Sequence, residues 1–163
     1  MKLVRVIAAG VAGGLAWLLG LTVFFGPAQA ILADPNLQSA KFLRVFAEIE
    51  PLPRVAASPW IMLVGLAVIG VIHAAVFAVL RDGLPGRGWR KGVAFGLVAW
   101  ALMVPWFEFY LPWNVMHEPF VLVLLEAALW ALVLQLVGLA IAAVYGALER
   151  RSSRPMDIEA ASR

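Results

Sequence analysis

The stretch 119–148, "PFVLVLLEAALWALVLQLVGLAIAAVYGAL", holds a single charged residue, Glu126, in an apolar run that would be about 45 Å long as a helix. A bilayer core is roughly 30 Å thick and needs about 20 such residues. The run therefore crosses a membrane with length to spare, tilted or projecting past the headgroups. Working outward, residues 3–25, 59–80 and 89–110 meet the same length, and the sequence predicts four spans. Composition agrees, since a mean hydropathy of +0.90 with 14% charged residues lies far outside the range of soluble chains.

Between the first two spans, residues 35–50 have an amphipathic pattern. Phe42, Val45, Phe46 and Ile49 share one face, and Lys41, Arg44 and Glu48 share the other. The expected fold is an all-α integral membrane protein, a four-transmembrane-helix bundle with an interfacial amphipathic helix in its outer loop. It forms one domain over residues 1–151, with a small, polar, disordered tail over 152–163. The interfacial helix seals the mouth of the bundle, or its apolar face contacts a partner or lipid.

Three helix starts pair a capping-type residue with proline: Asp34-Pro35, Ser58-Pro59 and Glu118-Pro119. Proline loses nothing at the first helical position, and an acidic cap suits the positive end of the helix dipole. Small residues recur four apart on the spans, at Gly10 and Gly14, Gly70 and Ala74, Gly92 and Gly96, and Gly138 and Ala142. They predict close helix packing within the chain or self-association through the same faces.

Lys and Arg fall ten on one side of the spans and three on the other. The ten are Lys2, Arg5, Arg81, Arg87, Arg90, Lys91, Arg150, Arg151, Arg154 and Arg163; the three are Lys41, Arg44 and Arg54. This bias puts both termini in the cytoplasm of a multi-pass protein of the bacterial inner membrane. Trp60, Trp106, Tyr110 and Trp113 then line the outer interface, and Trp89 and Tyr145 the inner one. A competing reading takes Lys2, Arg5 and "GPAQA" at 26–30 as a cleaved signal peptide, which leaves the other spans oriented as before. The formal charge of +3 goes with membrane orientation and not with nucleic acid, because the basic residues sit beside apolar spans. With no cysteine, thiolate metal sites, iron–sulfur clusters, disulfides and thiol nucleophiles are excluded.

Intramembrane ionisable residues are candidate functional groups, because an unpaired charge there costs about 2.5–3.5 kcal/mol. Glu126 lies seven residues past Pro119, about 10 Å below the outer boundary, and is a candidate for handling a proton or ligand or for bonding across to a neighbouring helix. His73 is the second candidate, with satisfied core packing as its alternative. His73 and His117 lie at different depths, too far apart to sandwich one haem. The polar cluster "WFEFYLPWNVMHEP", at 106–119, places Glu108, Asn114, His117 and Glu118 near one surface, a donor set that suits a divalent metal, a proton relay or a polar headgroup. It reads equally as a rigid hinge. No catalytic motif is present. The expected role is a non-catalytic subunit or accessory factor contacting membrane lipids or another membrane protein, with no obligate cofactor. The alternative is a small proton- or metal-coupled transporter built on Glu126 and the outer cluster.

Overall fold

A computed structural model describes residues 2–46, 54 and 58–152, and among them every regular element is helical. In chain order these are α1 (Lys2–Leu32), α2 (Ala40–Phe46), α3 (Trp60–Leu80), α4 (Trp89–Val115) and α5 (Phe120–Ser152). All but α2 are long and apolar enough to cross a membrane, in line with a multi-pass protein. The remainder of the expected tail, beyond Ser152, lies outside the described residues.

The long helices do not close into a symmetrical four-way bundle. They stand in the order α3, α1, α5, α4, each packed on the next. Glycine explains the two flanking seams. A Cβ on Gly70 would strike the Gly10 carbonyl of α1, and a Cβ on Gly138 would strike the Gly92 carbonyl of α4. These backbones touch, as the four-residue spacing of small residues predicts. The central α1–α5 seam is instead side chain on backbone, with Val133, Val137 and Ile141 filling the space left by Gly13 and Gly20. The outer helices α3 and α4 meet only through long side chains, the Phe77 and His73 rings standing edge-on to Phe95.

One end of the row carries Lys2, the 81–88 connection and Ser152, and is called the termini end below. The opposite, far end carries Leu32, α2 and the turn at 116–119. At the far end the helices run past their predicted limits. The first continues through Leu32 instead of ending near 25, and α4 continues to Val115 instead of ending near 110. Both helices have wide-wound stretches with i→i+5 bonding at their predicted ends, Leu21–Phe25 just before the first and Pro105–Val115 across the second. Each adjoins or contains proline, at Pro27 and at Pro105 and Pro112. A proline removes a backbone donor and crowds the preceding turn, and the wider winding absorbs both without breaking the helix. Residues 106–119 are therefore mostly helix and not a loop.

The amphipathic helix of the first connection starts at Ala40, not at Pro35, and its described part runs to Phe46. Asp34 Oδ1 accepts from the Asn36 backbone N–H at 2.8 Å, closing a local turn. Ser39 takes over the capping role, its Oγ accepting from the Phe42 N–H at 3.0 Å. Ile49 and the side chain of Phe46 lie outside the described residues. Tyr145, expected at the interface, is buried between the edge of Phe77 and the Arg81 guanidinium, 5.2 Å above its ring.

Candidate functional site

The far end gathers the polar side chains that α1, α4 and α5 would otherwise have to bury singly. Glu126, on the second turn of α5, is 7% exposed, and Glu108, on the wide-wound part of α4, is half-buried. Both line a cavity of about 390 Å³. Its walls are apolar or aromatic, with Phe25 and Leu32 from α1, Phe42 and Leu43 from α2, and Phe107 and Trp130 from α4 and α5. Gln29 and the Trp130 indole are the remaining side chains with hydrogen-bonding polarity, and among the described residues no Lys, Arg or His lines the space.

Each acid is placed by a local cause. Pro105 starts the wide winding that changes the angular spacing between Val104 and Leu111, and within that stretch Glu108 comes to face the indole N–H of Trp130. Trp130 is held in turn by its edge contacts with Trp17, 5.8 Å between ring centres, and Phe25, 5.0 Å. Glu126 follows Leu122 and Val123, which are buried and fix the rotation of α5 at this depth.

Glu118 sits beside the cavity, and its role differs from the expected one. Instead of capping α5 it is 2% exposed, and its Oε1 accepts a hydrogen bond from Gln38 Nε2 at 2.6 Å. Gln38 also donates to the Leu32 carbonyl at 3.2 Å, so the pair ties the end of α1 to the start of α5. The second oxygen, Oε2, has no hydrogen-bond partner. Burial pushes the Glu118 carboxyl above the usual range; the Gln38 hydrogen bond opposes this and the nearby Glu108 carboxyl adds to it. Glu108, Glu118 and Glu126 thus lie within electrostatic reach of one another.

The expected metal set of Glu108, Asn114, His117 and Glu118 is not brought together. Among the described residues no group of three His, Asp or Glu side chains is close enough to hold a metal ion. The helical course of α4 leaves Asn114 exposed, and His117, in the left-handed region at φ 56°, is exposed as well. Of the four, Glu108 and Glu118 turn inward to different partners. Glu108 forms no ion pair with Lys41, Arg44 or Arg54, and Lys41 donates to the Val115 carbonyl.

Of the expected contact face, Phe42 is buried and lines the cavity, leaving Val45 exposed. The amphipathic helix therefore seals this end. His73 lies away from the acids. Its Nδ1 is 2.9 Å from the Ile69 carbonyl and its ring meets Trp17 edge-on, the arrangement of a satisfied packing residue beside the apolar α3–α4 groove. Sequence reasoning missed Gln29, Gln38 and Trp130 as site residues. A glutamine in a turn carries no spacing signal, and its partner Glu118 is 80 residues away.

Residues 4–156 match a family of unknown function, DUF6789, and the chain belongs to that family. No curated protein and no solved structure matches it.

Proposed function

We propose, for this member of DUF6789, a small non-catalytic protein of the bacterial inner membrane whose far end holds a cationic ligand with an apolar body. One observation carries the reading: two carboxyl side chains line a cavity of about 390 Å³ whose walls are, apart from Gln29, apolar and aromatic, with no basic side chain among the described residues that line it. Low-dielectric walls strengthen the attraction of a carboxylate for a cation, and aromatic faces add to it. An apolar body on the ligand matches the remaining wall. A bare divalent ion fits less well, because no group of three His, Asp or Glu side chains among the described residues is close enough to hold one.

The ten-to-three distribution of Lys and Arg supports an orientation with both termini in the cytoplasm and the cavity outside. The exposed aromatics Trp106, Trp113 and Trp60 around the far end suit contact with lipid or with another membrane protein, as an accessory subunit requires. Passage across the membrane is less well supported. Between the two ends the row is filled by Val133, Val137, Ile141, Phe77 and Phe95, all buried, so this conformation favours binding over transport.

Calorimetric titration of the protein in nanodiscs with benzyltrimethylammonium, against neutral N-benzylacetamide, tests the reading. The cation binds and the amide does not, while Glu126→Gln and Glu108→Gln each weaken binding about tenfold, the loss of one charge-assisted contact. Absence of cation binding, or equal binding in wild type and both variants, overturns it. Reporter fusions after Arg90 and Arg54 check the orientation, with cytoplasmic and external readings respectively.

A further inference from the structure

The termini end holds a second cavity, of about 220 Å³, formed where the end of α3, the 81–88 connection, the start of α4 and the last turns of α5 converge. Arg81, Arg87, Lys91 and Arg150 line it, with Glu149 as the one acid. Glu149 is already engaged: its Oε1 accepts from Arg81 at 2.6 Å and from Arg5 at 3.4 Å. Lys91 donates to the Arg81 carbonyl, which holds its ammonium at the cavity wall. Arg87 and Arg150 form no ion pair with any described residue. The cavity therefore concentrates positive charge that the described residues neutralise only in part.

Its backbone is built for the same purpose. Gly88 lines the cavity at φ +56°, a conformation that side chains rarely adopt, and a Cβ there would meet no atom. The constraint is conformational and not steric: it lets the chain turn directly into α4, so that the cavity wall at Gly88 and Lys91 lies at the positive end of that helix dipole. The floor is formed by Tyr145, with the Arg81 guanidinium lying over its ring.

We propose that this cavity binds a phosphate group, supplied either by the headgroup of an anionic lipid or by a free phosphate anion. Three guanidinium groups and an ammonium lining one cavity, at the positive end of a helix dipole, match the charge of a phosphate and its need for hydrogen-bond donors. Its position at the ends of the apolar helices is that of a basic headgroup pocket between membrane helices. The site is independent of the cation cavity, sharing no residue with it.

The test uses the full chain in detergent, read by native mass spectrometry with phosphatidylglycerol or phosphatidylcholine, and by thermal shift with inorganic phosphate against chloride at equal ionic strength. Arg87→Gln/Arg150→Gln removes the two unpaired cations; both side chains are exposed, so folding is retained. Arg90→Gln/Arg151→Gln removes the same charge from exposed positions that do not line this cavity. A lipid headgroup is the ligand if phosphatidylglycerol is retained over phosphatidylcholine and the first variant loses about tenfold in retention while the second does not. Free phosphate is the ligand if the thermal shift shows the same pattern and the lipids are not distinguished. Equal losses in the two variants, or no preference for either phosphate source, overturns the site and reduces the cluster to surface charge.

Discussion

The two ends of the row treat charge in opposite ways. At the far end three carboxyls are drawn inward with amides and an indole as neighbours, and the cavity they border has no basic residue. At the termini end, Arg5 and Arg81 form ion pairs with Glu149, and Arg81 also with Asp82, while Arg87 and Arg150 pair with no described residue. Ion pairs at the termini end offset much of the cost of holding charge together, whereas the far end leaves buried acids without counter-ions. Each end is thus left with an excess of one sign, acidic at the far end and basic at the termini end, with the glycine seams between them as the common frame.

The largest expected effect comes from breaking that frame. Gly70→Ala and Gly138→Ala each press a methyl into a facing carbonyl, Gly10 and Gly92 respectively, and nothing at either contact is flexible. Each should lower stability by about 2–3 kcal/mol, at the upper end of overpacking costs, and Gly70→Leu or Gly138→Leu should leave no folded protein. Gly65→Ala is the control. Its Cβ would meet nothing within 4 Å, and the substitution should stabilise by about 0.5–1 kcal/mol through helix propensity. Denaturation in a fixed detergent reads all of them. Equal effects at Gly65 and Gly70 would mean that the seams are not backbone contacts.

Those seams were legible in the sequence because they rest on spacing alone. Gly10 and Gly14 meet Gly70, and Gly92 and Gly96 meet Gly138, as the four-residue repeats on separate spans suggested. The depth of Glu126 was legible for a similar reason, since it follows from counting along a helix. The ends of α1 and α4 were not, because the pattern treats proline as a terminator and contains no signal for wide winding at Pro105 and Pro112. Two capping residues competed for α2, and the Asp34 side chain closed a turn that left the cap to Ser39. Glu118 looked like a cap because capping is local; the Gln38 bond that displaced it depends on how α1 and α5 meet.

A middle-sized effect should appear on titrating Glu118. Its raised value means that the folded state binds the proton more tightly than the unfolded state does. Stability contributed by this group is full below the ordinary carboxyl value of about 4.3 and is lost as pH rises from there through the raised value. Melting temperature should therefore fall between pH 5 and pH 8 in wild type. Glu118→Gln keeps an acceptor for Gln38 and removes the titration, so its melting temperature should exceed that of wild type at pH 8 and change less with pH. An unchanged pH slope in the variant would assign the dependence to other groups at this end.

The smallest effect concerns the turn that lets α4 hand over to α5. His117 adopts φ 56° between two bonds to one carbonyl, the Met116 and Glu118 N–H groups both donating to Pro112 at 3.2 and 3.0 Å. That double bond to one acceptor fixes the tight reversal and requires the left-handed residue between the donors. A histidine there is strained by about 1 kcal/mol relative to glycine. His117→Gly should relieve this strain, offset by the greater freedom of glycine in the unfolded chain, for a net gain of a few tenths of a kcal/mol. His117→Ala keeps the Cβ and should gain nothing. The exposed imidazole joins no metal-holding group among the described residues, so neither substitution should alter cation binding in the Glu108–Glu126 cavity. Paired melts and titrations on the two variants check both points. A loss of binding in His117→Ala would bring the imidazole back into the far-end site, and equal melting of the two variants would remove backbone strain as the reason this turn sets the position of Glu118.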